Sequence, residues 1–143
     1  MTISALLTRE GGVVTIPATS SVADLVELLG THRIGAVIVS DDGKFVSGIV
    51  SERDVVKALR TQSSGLLSQP VSSIMTEQVL TVGPDATFED LMRIMTERRV
   101  RHVPVVDNGQ LVGIVSIGDV VKHRIESLET EKNTLIDYIT TGR

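Results

Sequence analysis

"GIVSERDVVK", residues 48–57, returns 65 positions later as "GIVSIGDVVK", residues 113–122. Only one adjacent pair differs: Glu52 and Arg53 in the first copy, Ile117 and Gly118 in the second. Each copy reads as the end of a strand running directly into a helix. Gly, Ile and Val close the strand, and a Ser-x-x-Asp spacing opens the helix. That spacing is a capping box: the serine side chain accepts from the third helical amide, and the acid reaches back to the serine amide. A small chain that writes this junction twice is built by internal duplication, and repeats of this kind decide the fold before any local pattern does.

The match extends outward on both sides. "VTIPATSSVADLVELLGTHRIGAVIV" (14–39) lies over "LTVGPDATFEDLMRIMTERRVRHVPV" (80–105) at an offset of 66, which falls to 65 after Ser47, an extra residue in the first unit's turn. Each unit opens with a short extended piece, residues 13–16 or 79–82, and a proline turn at Pro17 or Pro84. Ser21 and Thr87 then stand as helix caps, with acids close behind at Asp24, Glu89 and Asp90. Apolar residues at Val22, Leu25, Val26, Leu28 and Leu29 recur as Phe88, Leu91, Met92, Ile94 and Met95, which is helical spacing. "AVIV" and "VPVV" read as buried strands, and Pro104 predicts one unpaired side in the second copy. "SDDGK" and "VDNGQ" are turns into the strand that ends in the quoted motif.

The unit is therefore β-α-β-β-α, and the chain is an α/β (α+β) protein of two such units. A unit of about 60 residues buries only about 60% of its unfolded surface. Two units packed face to face about a pseudo-twofold axis solve that problem and create two related clefts. The expected organisation is a first repeat with its N-terminal segment over 1–62, a Ser-, Gly- and Pro-containing linker over 63–72, a second repeat over 73–126, and a C-terminal helical tail over 127–143.

Composition narrows the function. The 143 residues carry a formal net charge of −4, against the basic excess expected of a nucleic-acid-binding domain. There is no cysteine, hence no disulfide framework and no thiol nucleophile; this is compatible with the cytoplasm, where we expect the protein. No apolar run approaches the roughly 18 residues needed to span a bilayer, and "MTISALLTRE" lacks the basic start and apolar stretch of a secretory signal. His32, His102 and His123 show no metal spacing, and no phosphate-binding G-x-x-x-x-G-K-[ST] loop is present. No metal and no membrane partner are expected.

The junction residues carry the chemistry. Ser51 with Asp54, and Ser116 with Asp119, are explained by capping alone. A ligand reading adds to this. A carboxylate in the first helical turn repels phosphate but accepts hydrogen bonds from hydroxyls, and a ribose diol suits it. Phosphate would then go elsewhere. Arg98 and Arg99, at a helix end, complement the helix dipole. Arg101 and His102, at the start of a strand, are better placed to meet an anion, and the matching Gly35 and Ala36 carry no charge. Arg53, beside Asp54, compensates in the first unit or is simply solvated. The shared residues build the frame and two sugar sites, and the changed pair makes the clefts unequal.

With "GIVSERDVV" and "GIVSIGDVV", "RIGAVIVSDDG" and "RVRHVPVVDNG", "VTIP" and "LTVGP", and "SSIMT" ahead of the second unit, the chain resembles a tandem pair of CBS domains, a Bateman module, over about residues 1–126. The resemblance implies a stand-alone regulatory or sensor module that binds adenine nucleotides (AMP, ADP, ATP or NAD(H)-type ligands) without catalysis. It implies ribose on Asp54 and Asp119. It places adenine against Ile34, Gly35, Ala36 and Val37 or Val100, Arg101, His102, Val103 and Pro104, with Thr15, Ile16 and Pro17 or Thr81 and Val82 completing the pockets. Asp119 and Ser116 would work with the first unit's segments and with Arg101 or His102. Asp54 and Ser51 would work with the second unit's segments and with Arg53. The residues "REGG" ahead of the first unit leave the edge of one pocket undefined.

Beyond the repeats, Val121, Ile125, Leu128, Lys132, Leu135 and Ile139 are spaced 4, 3, 4, 3, 4. This is a short a/d stripe broken by Lys132, suited either to packing on its own domain or to a homodimer. The protein partner that a sensor would address is left open. A structural dimerisation protein with vestigial pockets, and a nucleotide-processing enzyme using His102, are the alternative readings.

Overall fold

The computed structural model describes residues 2–8 and 12–141. Its elements run β1 (Thr15–Ile16), α1 (Val22–His32), β2 (Ala36–Val39), β3 (Gly48–Ser51), α2 (Glu52–Gln62), α3 (Phe88–Arg98), β4 (His102–Asp107), β5 (Gln110–Ser116) and α4 (Ile117–Thr141). In the first unit β1 pairs parallel to β2, and β2 pairs antiparallel to β3. In the second, β4 and β5 form an antiparallel pair, and the counterpart of β1 shrinks to a parallel bridge between Val82 and Val105. Pro104 is the cause: its carbonyl accepts the Val82 amide at 3.1 Å, but it has no N–H to extend the pairing further.

The duplication is close enough to compare residue by residue. Helix α1 buries Val22, Leu25 and Leu29; α3 buries Phe88, Leu91 and Met95, the same three positions of the repeat. Both helices open on the expected side-chain caps, Ser21 to the Asp24 amide and Thr87 to the Asp90 amide. The turns differ. Asn108 and Gly109 both have positive φ, 52° and 77°, the two-residue hairpin for which Asn-Gly is suited. The first unit's extra residue opens its hairpin into a loop between Val39 and Gly48. There Asp42 Oδ1 accepts from the Lys44 and Phe45 amides at 2.8 and 3.0 Å, and these donors hold its carboxyl below the usual range.

Two segments outside the repeated pattern close the cores, and each closes the other unit's. The 3₁₀ segment Ile3–Thr8 precedes the first unit but packs on the second. Ile3 is fully buried among Phe88, Leu91, Val103 and Val115, and its amide donates to the Ala86 carbonyl at 2.9 Å. The stretch expected as a linker forms two further 3₁₀ segments, Ser63–Ser68 and Val71–Ser73. Its Leu66 and Val71 lie fully buried in the first unit's core, and the Val71 amide donates to the Ser20 carbonyl at 2.7 Å. Its serines, glycine and proline satisfy turns while these two side chains do the packing. The N-terminal segment is thus part of the second unit's core rather than the first's. Residues 1, 9–11 and 142–143 lie outside the described residues, and with them most of "REGG".

These arms also explain the glycines that begin the repeated motif. A Cβ at Gly48 would stand 2.8 Å from both the Met75 sulfur and the Thr76 carbonyl oxygen, and one at Gly113 would overlap the Leu7 side chain. Each arm crosses its partner unit's β3 or β5 at the one residue without a side chain.

Helix α4 is continuous from the second junction to Thr141. Its only buried residue is Val120, and His123 stacks on Phe88 with ring centroids 3.5 Å apart. Val121, Ile125, Leu128, Leu135 and Ile139 are between 45% and 69% exposed, so this stripe is not packed on its own unit.

Candidate ligand-binding clefts

Both capping boxes form. Asp54 Oδ2 accepts from the Ser51 amide at 2.8 Å and from its hydroxyl at 3.1 Å, while the Asp54 amide donates back to Ser51 Oγ at 3.2 Å. The second junction has nearly the same geometry: Ser116 donates to Asp119 Oδ2 at 2.9 and 3.0 Å and accepts at 3.2 Å. All these bonds to the carboxylates use one oxygen, Oδ2. Capping therefore accounts for the Ser-Asp spacing. Both acids are half-buried.

Each carboxylate lines a cleft between the units. The first cleft, of about 540 Å³, takes Ile49, Ser51, Glu52, Arg53, Asp54, Val56 and Thr76 together with Arg99, Val100, Arg101 and His102. The second, of about 380 Å³, takes Val112, Gly113, Ile114, Ser116 and Asp119 together with Leu7, Gly12, Val13, Val14, Arg33 and Ile34. Gly35, Ala36 and His102 line both. Volumes of this size suit small-molecule ligands.

The clefts are electrostatically unequal. The first holds three arginines, Arg53, Arg99 and Arg101, against Glu52 and Asp54. The second holds Arg33 against Asp119. The pair that breaks the repeat explains part of this, since Glu52 and Arg53 both line the first cleft whereas Ile117 and Gly118 do not line the second. Arg101 lines the Asp54 cleft and not the Asp119 cleft.

Two cleft arginines come from positions that sequence reasoning passed over. Arg33 and Arg99 are the C-caps of α1 and α3, both in the left-handed region at φ 52° and 54°. Glycine is the residue usually found there, and a side chain at such a φ carries strain. The reading of Arg99 as a dipole complement accounts for its place at a helix end but not for its place in the cleft. The available signal was repetition: arginine recurs at the same position in both units.

Several expected lining residues stand elsewhere. Ile16, Val37, Val103 and Pro104 are buried in the sheets, and Thr15, Pro17, Thr81 and Val82 line neither cleft. β2 is buried along its whole length and β4 over Val103–Val105, and of these two strands only the first residues, Ala36 and His102, line the clefts. Thr76, on the arm, stands in the first cleft instead.

His102 titrates in an environment of opposing influences. Burial pushes its imidazole below the ordinary histidine value, opposed by the nearby carboxylates of Asp119 and Glu52, while Arg101 pushes the same way as burial. Among the described residues no group of three or more His, Asp and Glu is placed to hold a metal ion, and no helix is long and apolar enough to cross a membrane.

A duplicated α/β unit, two clefts between its halves and an acid lining each define a paired-cleft module. The chain belongs to the CBS-domain family: the family's model, described as CBS domain, matches residues 3–61 and 71–126. It is 35% identical over 126 residues to the mitochondrial CBS domain-containing protein CBSX3 of Arabidopsis thaliana, covering 85% of this chain and 61% of that protein's length. Among solved structures it is similar to the CBS-domain containing protein ATU1752 from Agrobacterium tumefaciens, at 48% identity and a TM-score of 0.81 over 87% of this chain and 99% of that one. It is also similar to the CBS domain protein PAE2072 from Pyrobaculum aerophilum complexed with AMP, at 30% identity and a TM-score of 0.75 over 83% and 89% of the two chains.

Proposed function

We propose that the protein is a regulatory module that binds adenine nucleotides in its two clefts and does not transform them. The observation that carries this reading is the pairing, in each cleft, of a capped carboxylate with an arginine from the opposite unit: Asp54 with Arg99, and Asp119 with Arg33. The carboxylate suits a ribose diol and the guanidinium suits phosphate. The AMP complex of PAE2072 supports the ligand class. The charge difference sorts the ligands: phosphate-rich nucleotides such as ATP or NADH favour the first cleft, and AMP is accommodated by both. Calorimetry with AMP, ATP and NADH is expected to show binding, with the first cleft favouring ATP, and chromatography is expected to return all three unchanged. Absence of binding to any of them would sink the reading. Product formation abolished in His102→Ala would replace it with the enzymatic one. We place the module in the cytoplasm, with which a chain lacking cysteine is compatible.

We also propose that the module self-associates through α2 and α4. Val56 and Leu59 on α2 are exposed, as is the α4 stripe, and together they are apolar surface that a monomer would leave in water, although Val56 also lines the first cleft. Light scattering at micromolar concentration is expected to give twice the chain mass. A chain ending at residue 126 separates the two parts of this surface: unchanged dimerisation would assign it to α2 and the first turns of α4 alone.

A further inference from the structure

The two clefts share a wall, and one side chain dominates it. Ala36 pairs with Ser51 across β2 and β3, and His102 pairs with Ser116 across β4 and β5, so pseudosymmetry gives Ala36 and His102 the same post. The residue before each is Gly35 or Arg101. The first unit thus brings two small residues to the pseudo-twofold axis and the second brings two large ones. The imidazole lies over Gly35: its Cε1 and Nε2 are 3.6 and 3.7 Å from where a Cβ of that residue would stand, and Glu52 Oε1 is 3.4 Å from the same point. Ala36 offers no polar group in return. One imidazole, not two, therefore borders both clefts.

We propose that His102 couples the clefts through one shared proton, so that an anionic nucleotide in one favours the binding of a second in the other. The proposal rests on the nucleotide reading above and specifies how such a module is regulated.

In the empty protein, burial and Arg101 disfavour the imidazolium, while Glu52 at the start of α2 and Asp119 on α4 favour it. Arg53, Asp54 and Arg99 complete the charges of the first cleft, and Arg33 those of the second. A phosphate brought against the ring favours the charged form, so the first nucleotide binds with proton uptake. The sign follows. The ring's pKa is higher in the complex than in the empty protein. Affinity therefore rises as pH falls through the pKa of the complex, by at most about tenfold per pH unit for one proton, and levels off below the pKa of the empty protein. A second nucleotide finds the ring already charged. It takes up no further proton there, so sharing one protonation favours joint filling.

The test is calorimetry with AMP on the intact protein near pH 7, in two buffers of different ionisation enthalpy, for wild type, His102→Gln and Asp54→Asn. Glutamine keeps a hydrogen-bonding wall but cannot take a proton. The nucleotide's own phosphate is common to all three titrations and cancels in the comparison. The expected result is His102-dependent proton uptake with the first equivalent and not with the second. In Asp54→Asn, whose own cleft is weakened, the Asp119 cleft is expected to take up the proton itself and to bind AMP more weakly than in nucleotide-filled wild type. Binding with the same proton count in His102→Gln, or with equal uptake at each equivalent, would overturn the coupling and leave the nucleotide reading standing. An absence of AMP binding in wild type would overturn both.

Discussion

Asp54→Asn and Asp119→Asn are each expected to lower nucleotide affinity at their own cleft by about ten- to a hundredfold. The figure follows from losing a charge-assisted hydrogen bond, about 1.5–3 kcal/mol. Asparagine is the informative replacement because its amide oxygen still accepts the serine N–H, so the helix keeps its cap while the carboxylate loses its charge. The fold supplies a control. Asp90 sits in the same kind of box, accepting the Thr87 amide at 3.1 Å, yet it lines neither cleft. Asp90→Asn is expected to share any small loss of stability, under about 1 kcal/mol, and to leave binding unchanged. If the cleft variants behave like Asp90→Asn, the carboxylates are caps and nothing more.

A large loss of stability is expected outside the repeated units, in the arm between them. Leu66→Ala is expected to cost about 2–5 kcal/mol, because it empties a fully buried site in the first core. For a chain of this length that corresponds to a fall in Tm of roughly 5–15 °C. Leu67, the next residue, is 45% exposed, and Leu67→Ala is expected to stay within about 0.5 kcal/mol of wild type. A solvated linker would make the two substitutions alike. Thermal unfolding of the pair separates these outcomes.

The arm shows where sequence reasoning stops. Helical spacing at Val22, Leu25 and Leu29 is local, and its recurrence at 88, 91 and 95 made the duplicated unit legible. The Asn108–Gly109 hairpin and the capping boxes were equally local, since each is chemistry between residues close together in the chain. Leu66 and Ile3 offered no such period. What buries them is packing against a core assembled from several elements, and the trace was a glycine, Gly48 or Gly113, whose missing side chain makes room where Met75 and Thr76 or Leu7 cross the strand. The candidate site divides along the same line. The carboxylates announced themselves by their spacing. Arg33 and Arg99 did not, because they stand at helix ends where a cation is ordinary. That His102 borders both clefts depends on Gly35 opposite, a relation between strands from different repeats that no local pattern carries.

The exchange of arms has a consequence for how unlikeness is possible in this molecule. One repeat with its own preceding arm cannot complete its core, because that arm fits the other repeat. Two copies of a single repeat, each lending its arm to the other about a true twofold, would satisfy the same contacts, but every residue would then face its own image. Two identical histidines would crowd the axis, or two alanines would leave it empty. Joining the copies in one polypeptide removes that obligation. His102 opposite Gly35, and Glu52–Arg53 opposite Ile117–Gly118, are arrangements that only a fused pair can hold.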